Sequence, residues 1–179
     1  MLVLTIQRKE ILEKTLNKTY HVNLWQSPFA YQSIRFTEGY NIILNKLQDK
    51  AGVPLLEGES CFWGWVKNPY IDFFAYDKDK YVALFVDIPK SQLVLSDYDK
   101  YTDYVLENSY DNDFILDSSK PLPECVQCSF LHLKPENIKL TVPLDMLNKD
   151  SKSVTEMYHL ASYRCIWFYF SSADLLAHA

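Results

Sequence analysis

The sequence predicts a single α+β domain, a twisted and mostly antiparallel sheet with helices packed on it. Three observations lead there. The 179 residues suffice for one domain, which at this size buries roughly 70% of its unfolded surface and needs no metal or disulfide to fold. The chain reads as about five strand-like runs and three or four amphipathic helical stretches. Only four glycines are present, with no GxGxxG and no GxxxxGK[ST], so a dinucleotide-binding Rossmann unit and a P-loop NTPase are excluded.

In chain order, residues 2–7 are β-favouring and short, an N-terminal strand. Residues 8–18 place Ile11, Leu12, Thr15 and Leu16 on one helical stripe. Residues 20–36 are aromatic and irregular (Trp25, Phe29, Tyr31, Phe36), with Pro28 interrupting any regular element. Thr37 is the expected N-cap of a helix to about Lys50, with Tyr40, Ile43, Leu44 and Leu47 facing the core and Gly52 and Pro54 ending it. Residues 60–66 alternate, sending Phe62 and Gly64 one way and Trp63 and Trp65 the other. Asn68-Pro69 marks a turn, with another strand expected at 70–76. Tyr81 to Ile88 is nearly continuously apolar, as in a central strand covered on both faces. Leu93-Val94-Leu95 is extended and runs into Ser96, whose spacing to Asp99 predicts a capping box and a helix bearing Tyr98, Tyr101 and Val105. Residues 109–123 read as a loop and Cys125 to Leu133 as one strand. Pro135 suits the first position of a helical turn, and Leu140 to Leu144 forms a last strand. The main domain is expected over 1–147. Residues 148–179 are read as a linker (148–153) and an aromatic tail packed on the body or on a partner. Trp63, Trp65, Tyr81, Leu84, Val86, Ile88 and Phe130 are the expected core or cleft walls.

The net charge of −5, with no basic stripe, argues against binding duplex nucleic acid. Met1-Leu-Val-Leu-Thr-Ile-Gln lacks the basic start of a signal peptide, and no apolar run reaches 18 residues. A cytoplasmic protein without a membrane span is expected, with its four cysteines (Cys61, Cys125, Cys128, Cys165) reduced.

Several segments together resemble a bacterial family of unknown function found in low-GC Gram-positive bacteria and their mobile elements. They are Thr5-Ile6-Gln7 in the first strand, Trp63-Gly64-Trp65, Leu95-Ser96-Asp97-Tyr98-Asp99, and Val105-Leu106-Glu107 where the family reads Val-Leu-Asn. Gln127-Cys128-Ser129-Phe130-Leu131-His132 is the last. The likeness spans roughly residues 1–142. It departs at Tyr70-Ile71-Asp72-Phe73-Phe74, where the family places Pro-Asp-Leu-Arg, and at Tyr101, where it usually has Trp. The order of elements is also loosely similar to the ADP-ribosyltransferase fold. That similarity implies NAD as cofactor, gripped in a cleft lined by Thr5, Gln7, Trp65 and Gln127, with Gln7 and Gln127 as candidate catalytic residues. Such enzymes commonly use Glu at the late position. Gln can hydrogen-bond a ribose but holds no stabilising negative charge, and Glu124 lies at an odd offset from it.

Other candidates follow from the residues alone. The segment 97–117 holds Asp97, Asp99, Asp103, Glu107, Asp111, Asp113 and Asp117 against Lys100 alone. Like charges at i, i+4 on a helix are mildly destabilising, so the clustering suggests a face steered toward a basic protein partner. Its spacing does not follow a calcium-binding EF-hand loop. Cys125-Val-Gln-Cys128 is a lone CxxC without the second pair zinc needs and sits within a strand, so both cysteines are read as small core residues. The four histidines (His21, His132, His159, His178) show no metal-ligand spacing, and no metal is expected. The uncharged β-prone window Cys165–Phe170 must pack somewhere, and a homodimer contact is one destination. The favoured reading is an interaction protein using the acidic face; the alternative is the NAD-binding enzyme.

Overall fold

A computed structural model describes residues 1–22, 34–52, 55, 58–67, 75–147 and 151–163. The expected aromatic segment around Trp25–Tyr31, the Asn68-Pro69 turn, the strand over 70–74 and the Cys165–Phe170 window lie outside these residues, as do Cys165 and His178.

The α+β class is what forms. The first strand, β1 (Leu2–Arg8), leads into α1 (Lys9–Asn17) and a two-residue strand β2 (Tyr20–His21). The long helix α2 (Ile34–Ala51) precedes β3 (Phe62–Lys67) and β4 (Tyr81–Asp87). Then come β5 (Leu93–Asp97), α3 (Tyr98–Val105) and β6 (Ile115–Leu116). The chain continues through β7 (Val126–Phe130), β8 (His132–Leu133), β9 (Ile138–Pro143) and α4 (Ser151–Tyr163). Seven strands make one sheet in the order β6-β5-β7-β3-β1-β4-β9, and β2 pairs with β8 in a separate ribbon. Every neighbouring pair is antiparallel. No helix among the described residues is long and apolar enough to cross a membrane.

Strand alternation sorts the core into layers. One sheet face carries Val3, Phe62, Leu84, Val86, Cys128 and Phe130 under Ile11 of α1 and Leu133 of the ribbon. The opposite face is divided. Its β1-β4-β9 half (Leu4, Phe85, Leu140, Val142) is covered by Val154 and Ala161 of α4. Its other half, with Trp63 and Val94, is covered by Tyr40, Ile43 and Leu47 of α2 and by Tyr101 and Tyr104 of α3. Of the expected core, Trp65, Leu84, Val86, Ile88 and Phe130 are buried, and Trp63 and Tyr81 are half-buried.

Several boundaries differ from expectation. The helix expected from Thr37 begins a turn earlier, because Phe36 stacks on Tyr40 at 5.8 Å and extends the apolar stripe backward; Thr37 is inside α2. Gly52 does end it, at φ 66°, its N–H reaching Gln48 O at 3.0 Å. Ser96 does not cap α3. It is still in the ladder opposite Gln127 and Ile115, so the capping side chain is Asp97, whose Oδ1 accepts from Asp99 N and Lys100 N at 3.1 and 3.2 Å. The loop expected over 109–123 contains β6, anchored by the fully buried Phe114. The single strand expected over 125–133 bends at Leu131, giving β7 to the sheet and β8 to the ribbon. Ala75 and Tyr76 are not in a strand. The stretch read as a linker to 153 already belongs to α4 from Ser151, and Tyr158 Oη donates to Trp65 O at 2.5 Å, pinning α4 to the sheet.

Gly64 is where two strands approach most closely. A Cβ there would stand 2.3 Å from Val3 Cγ1 and 2.9 Å from Leu4 O. The carbonyl belongs to a paired strand and cannot swing away. Gly64→Ala is therefore expected to destabilise the fold by about 3 kcal/mol, the upper end of the overpacking range, measured as a fall in the midpoint of urea unfolding without a change in its slope.

Candidate functional site

The residues expected to line a nucleotide cleft do not meet. Thr5 and Gln7 lie opposite Leu84 and Val82, on the α1 side of the sheet. Trp65 pairs with Gln127 across β3 and β7 and with Leu4 across β1 and β3, on the other side. Within each strand the side chains alternate, so no rotamer change brings the four together. Their polar atoms have local duties. Thr5 Oγ1 donates to Trp63 O at 2.6 Å, and Gln7 Nε2 donates to Thr5 Oγ1 at 2.7 Å, a relay that satisfies a hydroxyl buried in mid-sheet. Gln127 Oε1 is buried without a hydrogen-bond partner among the described residues. Trp65 packs against Tyr98 at a tilt of 54°, ring centroids 5.0 Å apart. Cys128 is fully buried in the core, where burial pushes its thiol pKa up, the opposite of what a reactive thiolate needs.

The acidic segment divides into two groups. Asp97 caps α3, and Asp111 Oδ1 accepts from Asp113 N at 2.9 Å. Asp113 pairs with Lys100 at 3.8 Å. Asp117 Oδ1 accepts from Ser119 N at 2.9 Å and Ser119 Oγ at 2.8 Å. Three of these carboxylates shape turns or a cap, and the fourth, Asp113, is ion-paired. Asp99, Asp103 and Glu107 are exposed, and their carboxylates make no hydrogen bond or ion pair among the described residues. They follow one another at four-residue spacing along α3 and past its end. There, Asn108 N bonds Asp103 O at 2.8 Å and Glu107 N bonds Tyr104 O at 3.2 Å, the Schellman closure. The residue in its left-handed position is Glu107, at φ 62°, where Gly is usual. Beside it Leu106 and Tyr110 are 63% and 80% exposed. Arg35 of α2 sits over the rings of both Tyr104 and Tyr110, at 5.2 and 4.7 Å.

A third constellation joins residues far apart in sequence. His21 and His132 are directly opposite in the β2-β8 ribbon, their ring centroids 4.4 Å apart. Glu59 reaches between them. Its Oε1 is 2.7 Å from His21 Nδ1 and 3.4 Å from His132 Nε2. Ser60 N donates to Val22 O at 2.8 Å, which holds the Glu59 segment against β2. The Glu59 side chain is only 6% exposed, the two rings 43% and 31%. Burial and the neighbouring His21 lower the His132 pKa against the opposing pull of Glu59, favouring the neutral ring. Sequence reading singled out neither Glu59 nor this grouping. The spacings of 38 and 73 residues match no ligand pattern, and only the ribbon register brings the three together.

The chain matches no protein-family profile, no curated protein and no solved structure.

Two measurements check the division of the carboxylates. Asp97→Ala is expected to cost about 1 kcal/mol of stability by loss of the cap, whereas Asp97→Asn retains most of it; thermal unfolding distinguishes them. The two hydrogen bonds from Ser119 hold the Asp117 carboxyl below the ordinary aspartate value of 3.8. Its stabilising contribution is present above the unfolded pKa and is lost as pH falls through the folded one. Carboxyl NMR titration should find Asp117 titrating below 3.8 and moving upward in Ser119→Ala.

Proposed function

We propose that this protein is an interaction module whose α3 surface, built from Asp99, Asp103 and Glu107 with Leu106 and Tyr110, binds a basic protein partner. The observation that carries the reading is Glu107. Three local rules disfavour a glutamate there. A non-glycine residue in the left-handed region costs about 1–2 kcal/mol. A negative charge at a helix C-terminus opposes the macrodipole. Asp103, four residues earlier, adds like-charge repulsion. Gly or Asn at this position would relieve all three. A residue kept where every local preference opposes it is a mark of selection for something other than stability.

The surroundings support the same reading. The remaining acids of the segment have structural duties, so the unpaired charge is concentrated on Asp99, Asp103 and Glu107. Arg35 braces Tyr110 from below, leaving an exposed ring already ordered. An ordered tyrosine beside a leucine, rimmed by charge, has the composition of an interface centre rather than of ordinary surface. Carboxylates on the rim would speed encounter with a basic partner and set its orientation. The four-residue nucleotide cleft has no comparable support, since its members occupy both faces of the sheet.

Glu107→Gly separates the two roles. It is expected to raise stability by about 1 kcal/mol, read from denaturant unfolding, while weakening capture of a basic protein by the immobilised chain. Capture by the wild-type chain should fall as salt rises from about 0.15 to 1 M, where the Debye length shrinks from about 8 to 3 Å. Tyr110→Ala should weaken it at both salt concentrations. A captured partner that ignores both substitutions, or the absence of any basic partner, would sink this reading.

A further inference from the structure

We propose that His21, Glu59 and His132 form a binding site for one divalent first-row transition ion of the Zn2+ type, independent of the α3 surface. One ligand atom from each residue lies within 4.8 Å of the other two. A tetrahedral ion with bonds of about 2.0–2.1 Å spaces its ligand atoms about 3.3 Å apart. The His132–Glu59 separation of 3.4 Å already has this spacing, and the His21–Glu59 separation of 2.7 Å needs to open by about half an ångström.

The site is preformed by backbone. Directly opposed residues of an antiparallel pair carry their side chains side by side, so the ribbon fixes His21 against His132. The hydrogen bond from Ser60 to Val22 then sets Glu59 next to them. The nearly buried carboxylate supplies a negative charge that has to be compensated, and it directs one oxygen at ring nitrogens of both histidines. Donor chemistry selects the ion. Two imidazoles favour zinc, iron, cobalt, nickel or copper, whereas calcium and magnesium prefer all-oxygen shells.

Three protein ligands leave at least one coordination position for water or another small ligand, the arrangement of catalytic rather than structural zinc. That position is accessible, because both rings are partly exposed and His132 also lines an open depression with Gln92, Ala51 and Leu131. Glu59→Gln is the sharpest variant, since it keeps the shape and a hydrogen-bonding oxygen and removes only the charge.

The test uses the full chain stripped with EDTA and titrated with Zn2+, with Co2+ as the spectroscopic probe. The site predicts one equivalent bound, retained in excess Mg2+, and weakened by more than about tenfold in both Glu59→Gln and His132→Ala. The Co2+ adduct should show d–d bands without a thiolate charge-transfer band. Circular dichroism confirms that each variant folds; if His132→Ala does not, Glu59→Gln alone decides. The proposal is overturned by absence of binding, by displacement with Mg2+, by undiminished affinity in Glu59→Gln, or by a thiolate band, which would move the ion to cysteine.

Discussion

β1 and β4 are interior strands of a sheet covered on both faces, and most of the molecule answers to that constraint. Val3 and Leu84 face α1, while Leu4 and Phe85 face α4. A strand in this position has no wet side on which to place a polar group. Thr5 is tolerated because its hydroxyl finds the Trp63 carbonyl and is itself approached by Gln7. Gly64 is required because Val3 and Leu4 come too close for any side chain. The helices follow from the same need. One face is closed by α1 and the β2-β8 ribbon, the other by three helices sharing its two halves. Unmade hydrogen bonds in such a layer are expensive, and the exposed charged groups of the two candidate surfaces lie outside it, at the ribbon and along α3.

The strands and helices with strong periodicity were legible from the residues. Tyr81–Asp87 reads as a doubly covered strand because it is apolar at every position but the last. The α2 stripe of Tyr40, Ile43, Leu44 and Leu47 faces the core as its spacing requires. Elements of two residues, β2, β6 and β8, carry too little pattern to be seen. The α3 cap shifted from Ser96 to Asp97 because both are good caps, and only the extent of the β5 ladder decides between them. The failure of the Thr5, Gln7, Trp65 and Gln127 cleft has a sharper cause. Periodicity shows that Thr5 shares a face with Gln7. It cannot relate β1 to β3, because one residue of register reverses the face. The His21, Glu59 and His132 grouping was hidden for a related reason: it exists only through the pairing of β2 with β8.

The two proposed sites differ in how they relate to stability. At the end of α3, a strained backbone and adjacent like charges are held in place by the surrounding aromatic packing of Tyr101, Tyr104 and Phe114. That rigid base lets a costly residue persist. At the ribbon the polar groups meet one another, with one Glu59 oxygen within reach of ring nitrogens of both histidines. The first is an arrangement that tolerates disfavoured residues, and the second one that local chemistry already stabilises.

The central place of β1 also governs how the chain can be made. β1 leaves the ribosome before both of its neighbours, and β4 is complete only about 80 residues later. At about 5–20 residues per second, an apolar strand with two open edges waits roughly 4–16 s for its partners. Until β3 emerges, Leu2, Val3, Leu4 and Ile6 have α1 as their nearest cover, and its Ile11 packs on one side alone. Vectorial synthesis therefore leaves an interior strand of the finished sheet as the segment that waits longest for its pairing, the natural point for a chaperone to engage the nascent chain.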